Sequence, residues 1–295
     1  MNSTPQKLKN IPFWRGEITA EPLTGGLSNE SYIVSDDSGK YIARFCDDIN
    51  VHHVSRQHEV MVSRAAADAG FAPELVYDAS GVMVFKFITA KTYGKQDIAP
   101  NIKALVKLIQ GFHNRVGQHA TGAGRIFWVF HVIRDYAHTL KADNSRFADK
   151  LDGFKSIAAE LEKIQIPQPI VFTHNDLLPA NFMDDGKKIW LIDFEYAAYG
   201  TAMFDLANLA ANAGFSDAQD DELLQLYYNA PPSPQLKQSL AAMKCASALR
   251  EAMWSMVSEI HLSAPGVDYG AYVDECLPAF YVELENYQSK YGKIT

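Results

Sequence analysis

Cysteine is scarce: only Cys46, Cys245 and Cys276 occur in 295 residues, far apart and with no CxxC pair. That excludes a disulfide framework or a cysteine-rich zinc site and suits a reducing compartment. Positive charge is also short, with 27 Lys and Arg against 35 Asp and Glu and a formal net charge of -8. A broad nucleic-acid footprint needs clustered Lys and Arg, so no nucleic-acid partner is expected. No stretch approaches the roughly 18 uninterrupted apolar residues of a membrane span. Met1 to Asn10 is polar and lacks the apolar core of a signal peptide. A cytoplasmic chain without membrane insertion is the expectation. The GxxxxGK(S/T) phosphate loop is absent too, so a Walker-type site has no support.

What is present is ordinary globular material, 47% hydrophobic and 21% charged, enough for a core without staples. The length suits two packed lobes or one large α/β or α+β domain. Strand-like runs come first: Ser31 to Val34 and Tyr41 to Phe45 around the turn Asp36-Asp37-Ser38-Gly39, then Leu75 to Tyr77 and Val82 to Phe85. Between them Val54, His58, Met61, Val62 and Ala65 recur at helical spacing, with Gly70 as the stop. Ile102 to His113 and Arg125 to Ile164 read as helical. Short β-type runs follow at Ile170-Val171-Phe172, around Phe182 and at Trp190-Leu191-Ile192. After Phe204 the pattern is helical, broken at Pro231-Pro232 and Pro265-Gly266.

The strongest chemical signal is Phe172-Thr173-His174-Asn175-Asp176-Leu177-Leu178-Pro179-Ala180-Asn181, followed by Leu191-Ile192-Asp193-Phe194-Glu195. An isolated Asp-x4-Asn after a strand is usually only a turn. Here a His precedes it by two residues, and a second Asp follows at the end of the next β-type run. Phosphoryl transfer from ATP needs one carboxylate to orient the attacking hydroxyl and take its proton. It also needs oxygen ligands to hold Mg²⁺ against the β- and γ-phosphates. Asn181 and Asp193 fit the metal ligands, and Asp176 is left as the base. Thr24-Gly25-Gly26-Leu27-Ser28-Asn29 lies at a strand turn where glycines let backbone N–H groups approach phosphates closely, which makes Gly25, Gly26, Ser28 and Asn29 nucleotide-binding candidates.

His174-x-Asp176-x4-Asn181 with Asp193-Phe194-Glu195 resembles the catalytic and metal loops of the protein-kinase-like phosphotransferases. Together with Tyr196 and with Phe204-Asp205-Leu206-Ala207-Asn208, the pattern resembles the bacterial type of choline/ethanolamine kinase, from about Leu23 to Ser263. The resemblance implies an α+β, protein-kinase-like bilobal fold. A small β-rich lobe with one helix would bind nucleotide (residues 1–88), and a larger, mainly helical lobe would carry catalysis and substrate binding (residues 89–295). It implies ATP as co-substrate, Mg²⁺ as cofactor and a small amino alcohol as acceptor, choline first and ethanolamine next. A homodimer is left open. By position, Arg44 would contact the α/β-phosphates and pair with Glu59, while Phe85-Lys86-Phe87-Ile88 would be the hinge that reads the adenine.

The family's acceptor pocket uses aromatic faces and carboxylates, which suit a cation that cannot be hydrogen-bonded. Trp254 falls on one of its aromatic positions. Glu251 stands where some members carry a second Trp, and Ser258 where they often carry Gln. Glu195 and Tyr196 are candidates for the pocket wall, and Asp205 for loop support. His52, His53 and His58 complete no metal pattern and read as a solvated helix start. Asp184-Asp185 before Gly186 reads as turn chemistry. Two alternatives stay open: an aminoglycoside, thiamine or sugar phosphotransferase on the same scaffold, and a catalytically inactive nucleotide-binding relative.

Overall fold

A computed structural model describes residues 4–23, 29–264 and 266–294. Gly25, Gly26 and Ser28, which the sequence offers as phosphate-binding positions, lie outside the described residues. The chain opens with a short helix α1 (Gln6–Lys9) and five antiparallel strands: β1 (Thr19–Leu23), β2 (Glu30–Asp36), β3 (Gly39–Phe45), β4 (Leu75–Ala79) and β5 (Val82–Lys86). They form one sheet in the order β1-β2-β3-β5-β4. Alternation sets its faces: Tyr32, Val34, Tyr41, Ala43, Val82 and Val84 are buried on one side with Leu8 and Ile11. Met83, Leu75 and Cys46 cluster separately.

Between β3 and β4 runs α2 (Arg56–Asp68), whose Val62, Ala65 and Ala66 are buried at helical spacing. Asp48 Oδ1 accepts the Arg56 backbone N–H at 2.6 Å, capping the start. At the other end Gly70 takes φ +82°, the left-handed turn a residue without Cβ adopts at low cost. The chain leaves this sheet after Lys86, and β6 (Lys91–Thr92) already pairs with another.

The rest is mainly helical: α3 (Lys95–Ile98), α4 (Ile102–Arg115), α5 (Val129–Ala142), α6 (Leu151–Lys163), α7 (Ala202–Ala213), α8 (Asp217–Tyr228), α9 (Pro234–His261) and α10 (Tyr269–Tyr291). Helix α9 is the axle of this part and packs against α5, α6, α7, α8 and α10. Four short strands are set among the helices. β7 (Ile170–Thr173) pairs with β10 (Ala198–Thr201), and β8 (Phe182–Asp184) lies between β6 and β9 (Ile189–Leu191).

The architecture is the expected α+β arrangement, with two corrections. The region 125–164 is two helices, broken where Asn144 takes φ +53°. A further break follows α7, where Gly214 is left-handed and Ser216 and Gln219 cap α8. β6 and β10 were not expected, because strands of two and four residues carry too little alternation to read. Among the described residues no helix is long and apolar enough to cross a membrane. Cys46, Cys245 and Cys276 are buried free thiols.

Candidate active site

The loop after β7 has no ladder partners, so side chains from the helical part must satisfy its backbone. Asp205, fully buried in the first turn of α7, accepts the N–H of His174 (2.8 Å) on one oxygen and that of Asn175 (2.7 Å) on the other. His113 Nε2 of α4 donates to the same carboxylate at 2.8 Å. One helical turn on, Asn208 Oδ1 accepts the Leu177 N–H at 2.6 Å. Asp205 thus supports the loop as expected. Burial works against its charge, but the hydrogen bond and charge of His113 hold it below the ordinary carboxylate value.

Held this way, the loop brings the three candidate residues together. Asn181 Nδ2 donates to the Asp176 carbonyl at 2.8 Å and lies 3.4 Å from its carboxylate. The Asn181 carbonyl accepts the Ile192 N–H at 3.1 Å, fixing Asn181 beside the turn that carries Asp193. Asp193 sits at φ +67°, a strained conformation for a non-glycine residue. The ring of His174 lies 5.2 Å from Phe194 and 5.9 Å from Phe112, and its Nε2 donates to the Ile192 carbonyl at 3.0 Å. His174 therefore clamps the two loops to each other.

A buried charge cluster joins this loop pair to the N-terminal sheet. Arg44 on β3 pairs with Glu59 of α2 at 2.9 Å, as expected, and also with Asp193 at 3.0 Å and Glu195 at 3.5 Å. Arg56, which sequence reasoning missed, bridges Glu59 (2.6 Å) and Glu195 (2.7 Å) and donates to Asn29 Oδ1 at 3.0 Å. Its position three residues before Glu59 was the available signal. Two guanidinium groups thus face three carboxylates, with Asp176 close by. Burial, then Asp193, pushes the Glu195 carboxyl up to about 7 against the pull of Arg44 and Arg56. Burial also raises Asp176 well above its ordinary value, although Arg250 opposes it.

Oxygen donors on Asn181 and Asp193, in a cluster short of positive charge, suit a hard divalent ion such as Mg²⁺. The Asn181 amide nitrogen is engaged with Asp176, so its side-chain oxygen is the atom that would serve as a ligand. Among the described residues no three His, Cys, Asp or Glu side chains form a metal cage. Two protein ligands completed by phosphates and water would not need one.

Beyond Asp176, Trp254 Nε1 donates to the Tyr196 hydroxyl at 2.8 Å, and Asn175 Nδ2 donates to the Tyr196 carbonyl at 2.9 Å. Glu251 accepts from Tyr272 OH at 2.7 Å and from Arg250 Nη1 at 2.9 Å. Glu195 and Tyr196 also line a cavity of about 510 Å³ with His52, His58, Trp128 and Tyr136, a size that suits a small molecule.

The reading of the three histidines as a solvated helix start is corrected. His52 is fully buried, stacked 4.7 Å from Trp254, and hydrogen-bonded to Tyr136 OH (3.1 Å) and Ser258 Oγ (2.9 Å). His58 is buried and donates to the Ala197 carbonyl at 2.7 Å. Only His53 stays near the surface, paired with Asp135. Those partners lie far along the chain, so local polarity was a poor guide. Asp184 and Asp185 do cap their turn, accepting from Gly186, Lys187 and Lys188.

At the expected hinge, Phe87 N–H donates to the Lys40 carbonyl at 3.1 Å, and Phe85 packs beside the Cys46, Leu75 and Met83 cluster. The Lys86 side chain pairs with Glu74 at the surface. Ile88 is half-buried.

Residues 19–237 match the phosphotransferase enzyme family. A probable ethanolamine kinase of Arabidopsis thaliana is 30% identical over 211 residues, 65% of this chain and 55% of that protein, so the match spans about half of the plant protein's length. Protein LicA of Haemophilus influenzae is 25% identical over 272 residues, 88% of this chain and 78% of that one. The crystal structure of a choline/ethanolamine kinase family protein from Mesorhizobium loti superimposes with a TM-score of 0.73 at 25% identity, covering 95% of this chain and 93% of that one. With its Asp176, Asn181 and Asp193 gathered at one seam, the chain belongs to the phosphotransferase enzyme family, where its relatives are of the choline/ethanolamine kinase type.

Proposed function

We propose that the chain transfers the γ-phosphoryl group of ATP to the hydroxyl of a small amino alcohol such as choline or ethanolamine. The observation that carries this reading is the convergence of Asp176, Asn181 and Asp193 through the two Asn181 contacts. In this reading Asp176 accepts a hydrogen bond from the acceptor hydroxyl and takes its proton. The alcohol oxygen bonds to the γ-phosphorus as the bond to the β-γ bridging oxygen breaks, and ADP leaves. Asn181 and Asp193 would hold Mg²⁺, which when bound neutralises charge on the β- and γ-phosphates.

Arg44, positioned by Glu59, would meet the α/β-phosphates. Asn29, with Gly25, Gly26 and Ser28, would cover them with backbone N–H groups. Phe85, Lys86, Phe87 and Ile88 would form the adenine edge between residues 1–88 and 89–295. Glu195, Tyr196, Glu251 and Trp254 would wall the acceptor side, next to the cavity that Glu195 and Tyr196 line.

The test is transfer from γ-labelled ATP to a panel of choline, ethanolamine, thiamine and aminoglycosides, with and without Mg²⁺. Labelled phospho-amino alcohol that forms only with the metal is expected. Background label on choline and ethanolamine, with strong label on another acceptor, would remove the amino-alcohol assignment.

A further inference from the structure

Sequence reasoning assigned no role to Arg250, yet it is among the largest fully buried side chains of the protein, 2% exposed. Ser247, Arg250, Glu251 and Trp254 are spaced along α9 so that they share one face. Two ties aim that face at the catalytic loop. Ser247 Oγ accepts from Asn208 Nδ2 at 3.1 Å, and Asn208 in turn holds the N–H of Leu177, directly after Asp176. Trp254 donates to Tyr196, whose carbonyl is held by Asn175, directly before Asp176.

Arg250 fills the space between these ties. Its guanidinium carbon lies 4.5 Å over the centre of the Tyr196 ring, and Nη1 donates to Glu251 at 2.9 Å. The other Glu251 oxygen is taken by Tyr272. One face of Trp254 is covered by His52, stacked at 24° and pinned by Tyr136 and Ser258.

A quaternary ammonium has no N–H to donate, so it is held by open ring faces and unshared carboxylates. Here Arg250 already covers the Tyr196 face, and both Glu251 oxygens accept hydrogen bonds, so a trimethylammonium head finds neither an open ring face nor an unshared carboxylate. A primary ammonium is smaller and donates three hydrogen bonds, which carboxylates with spare lone pairs can accept. We infer that Arg250 is a specificity-determining residue that occupies the place a quaternary ammonium needs, so that the acceptor site favours a primary amino alcohol. The inference rests on the amino-alcohol reading above.

The experiment measures kcat/KM for ethanolamine and for choline at saturating Mg²⁺–ATP, using the full chain as wild type, Arg250→Leu and Arg250→Lys. Wild type should favour ethanolamine by about tenfold or more, and Arg250→Leu should narrow that ratio by about tenfold, the scale of one uncovered cation–π site. Arg250→Lys keeps the charge and should keep the wild-type ratio. A role confined to packing would lower both acceptors together and leave the ratio unmoved, which overturns the inference. So does a wild type that prefers choline. Should Arg250→Leu fail to fold, Arg250→Gln, which removes the charge but keeps a polar side chain, carries the same comparison, and an unmoved ratio in it overturns the inference. A wild type that phosphorylates neither acceptor removes the amino-alcohol reading and the inference with it, whereas a choline-preferring enzyme removes only the inference.

Discussion

Asp205 never faces the cleft, yet the loop that carries Asp176 depends on it. Its two oxygens accept two consecutive backbone N–H groups and a histidine, all buried. Asp205→Asn turns one acceptor into an amide donor facing a donor, with nowhere for water to intervene. Denaturant unfolding should show a loss of about 3 kcal/mol, typical for breaking a buried charged network. Phosphoryl transfer should fall with it, because the loop loses its anchor. At this scale the sequence was informative where chemistry dictates residue type and spacing together. Asp176, Asn181 and Asp193 could be found because few other demands produce that pattern. His52 and Arg250 could not, and Arg56 only through its spacing to Glu59, since their other contacts are as remote as the 139 residues from Arg56 to Glu195 and the 206 from His52 to Ser258.

At the level of elements, α2 and the turn before it are the parts that join sheet to helices. At the start of α2, Arg56 pairs with Glu195 and Glu59 pairs with Arg44 of β3, and His52 in the preceding turn packs on α9. Burial, with Arg250 adding to it, lowers the His52 pKa from an ordinary 6.5 to about 3. A histidine that stays neutral when folded but protonates when unfolded contributes fully above the unfolded value, and that contribution is lost as pH falls toward the folded one. His52→Gln removes this titration. The destabilisation it causes at pH 8 should therefore shrink by about 2 kcal/mol at pH 5, as read from paired unfolding curves. A destabilisation independent of pH would mean that His52 is not held neutral. The elements themselves were legible wherever periodicity ran long enough, as in α2, α4 and the β2–β3 and β4–β5 pairs. β6 and β10 were not, because their pairing with β8 and β7 is decided by tertiary position rather than by local pattern.

For the whole molecule, the strand-rich beginning and helical remainder were readable as a change of period. The sequence could not say how tightly the two parts are bound at the seam. Arg44 and Arg56 come from the sheet side, Asp193 and Glu195 from the helical side, and their ion pairs tie the two parts together. In the proposed reading, nucleotide binding and catalysis share one set of charges but divide the labour among them. The most direct test is to measure Mg²⁺–ATP affinity and single-turnover transfer in parallel for Asp176→Ala and Asp193→Ala. Asp176→Ala should bind Mg²⁺–ATP with affinity near wild type while transfer falls by roughly a thousandfold or more, whereas Asp193→Ala should lose the binding itself. Equal and mild losses in both variants would contradict the division of roles on which the account rests.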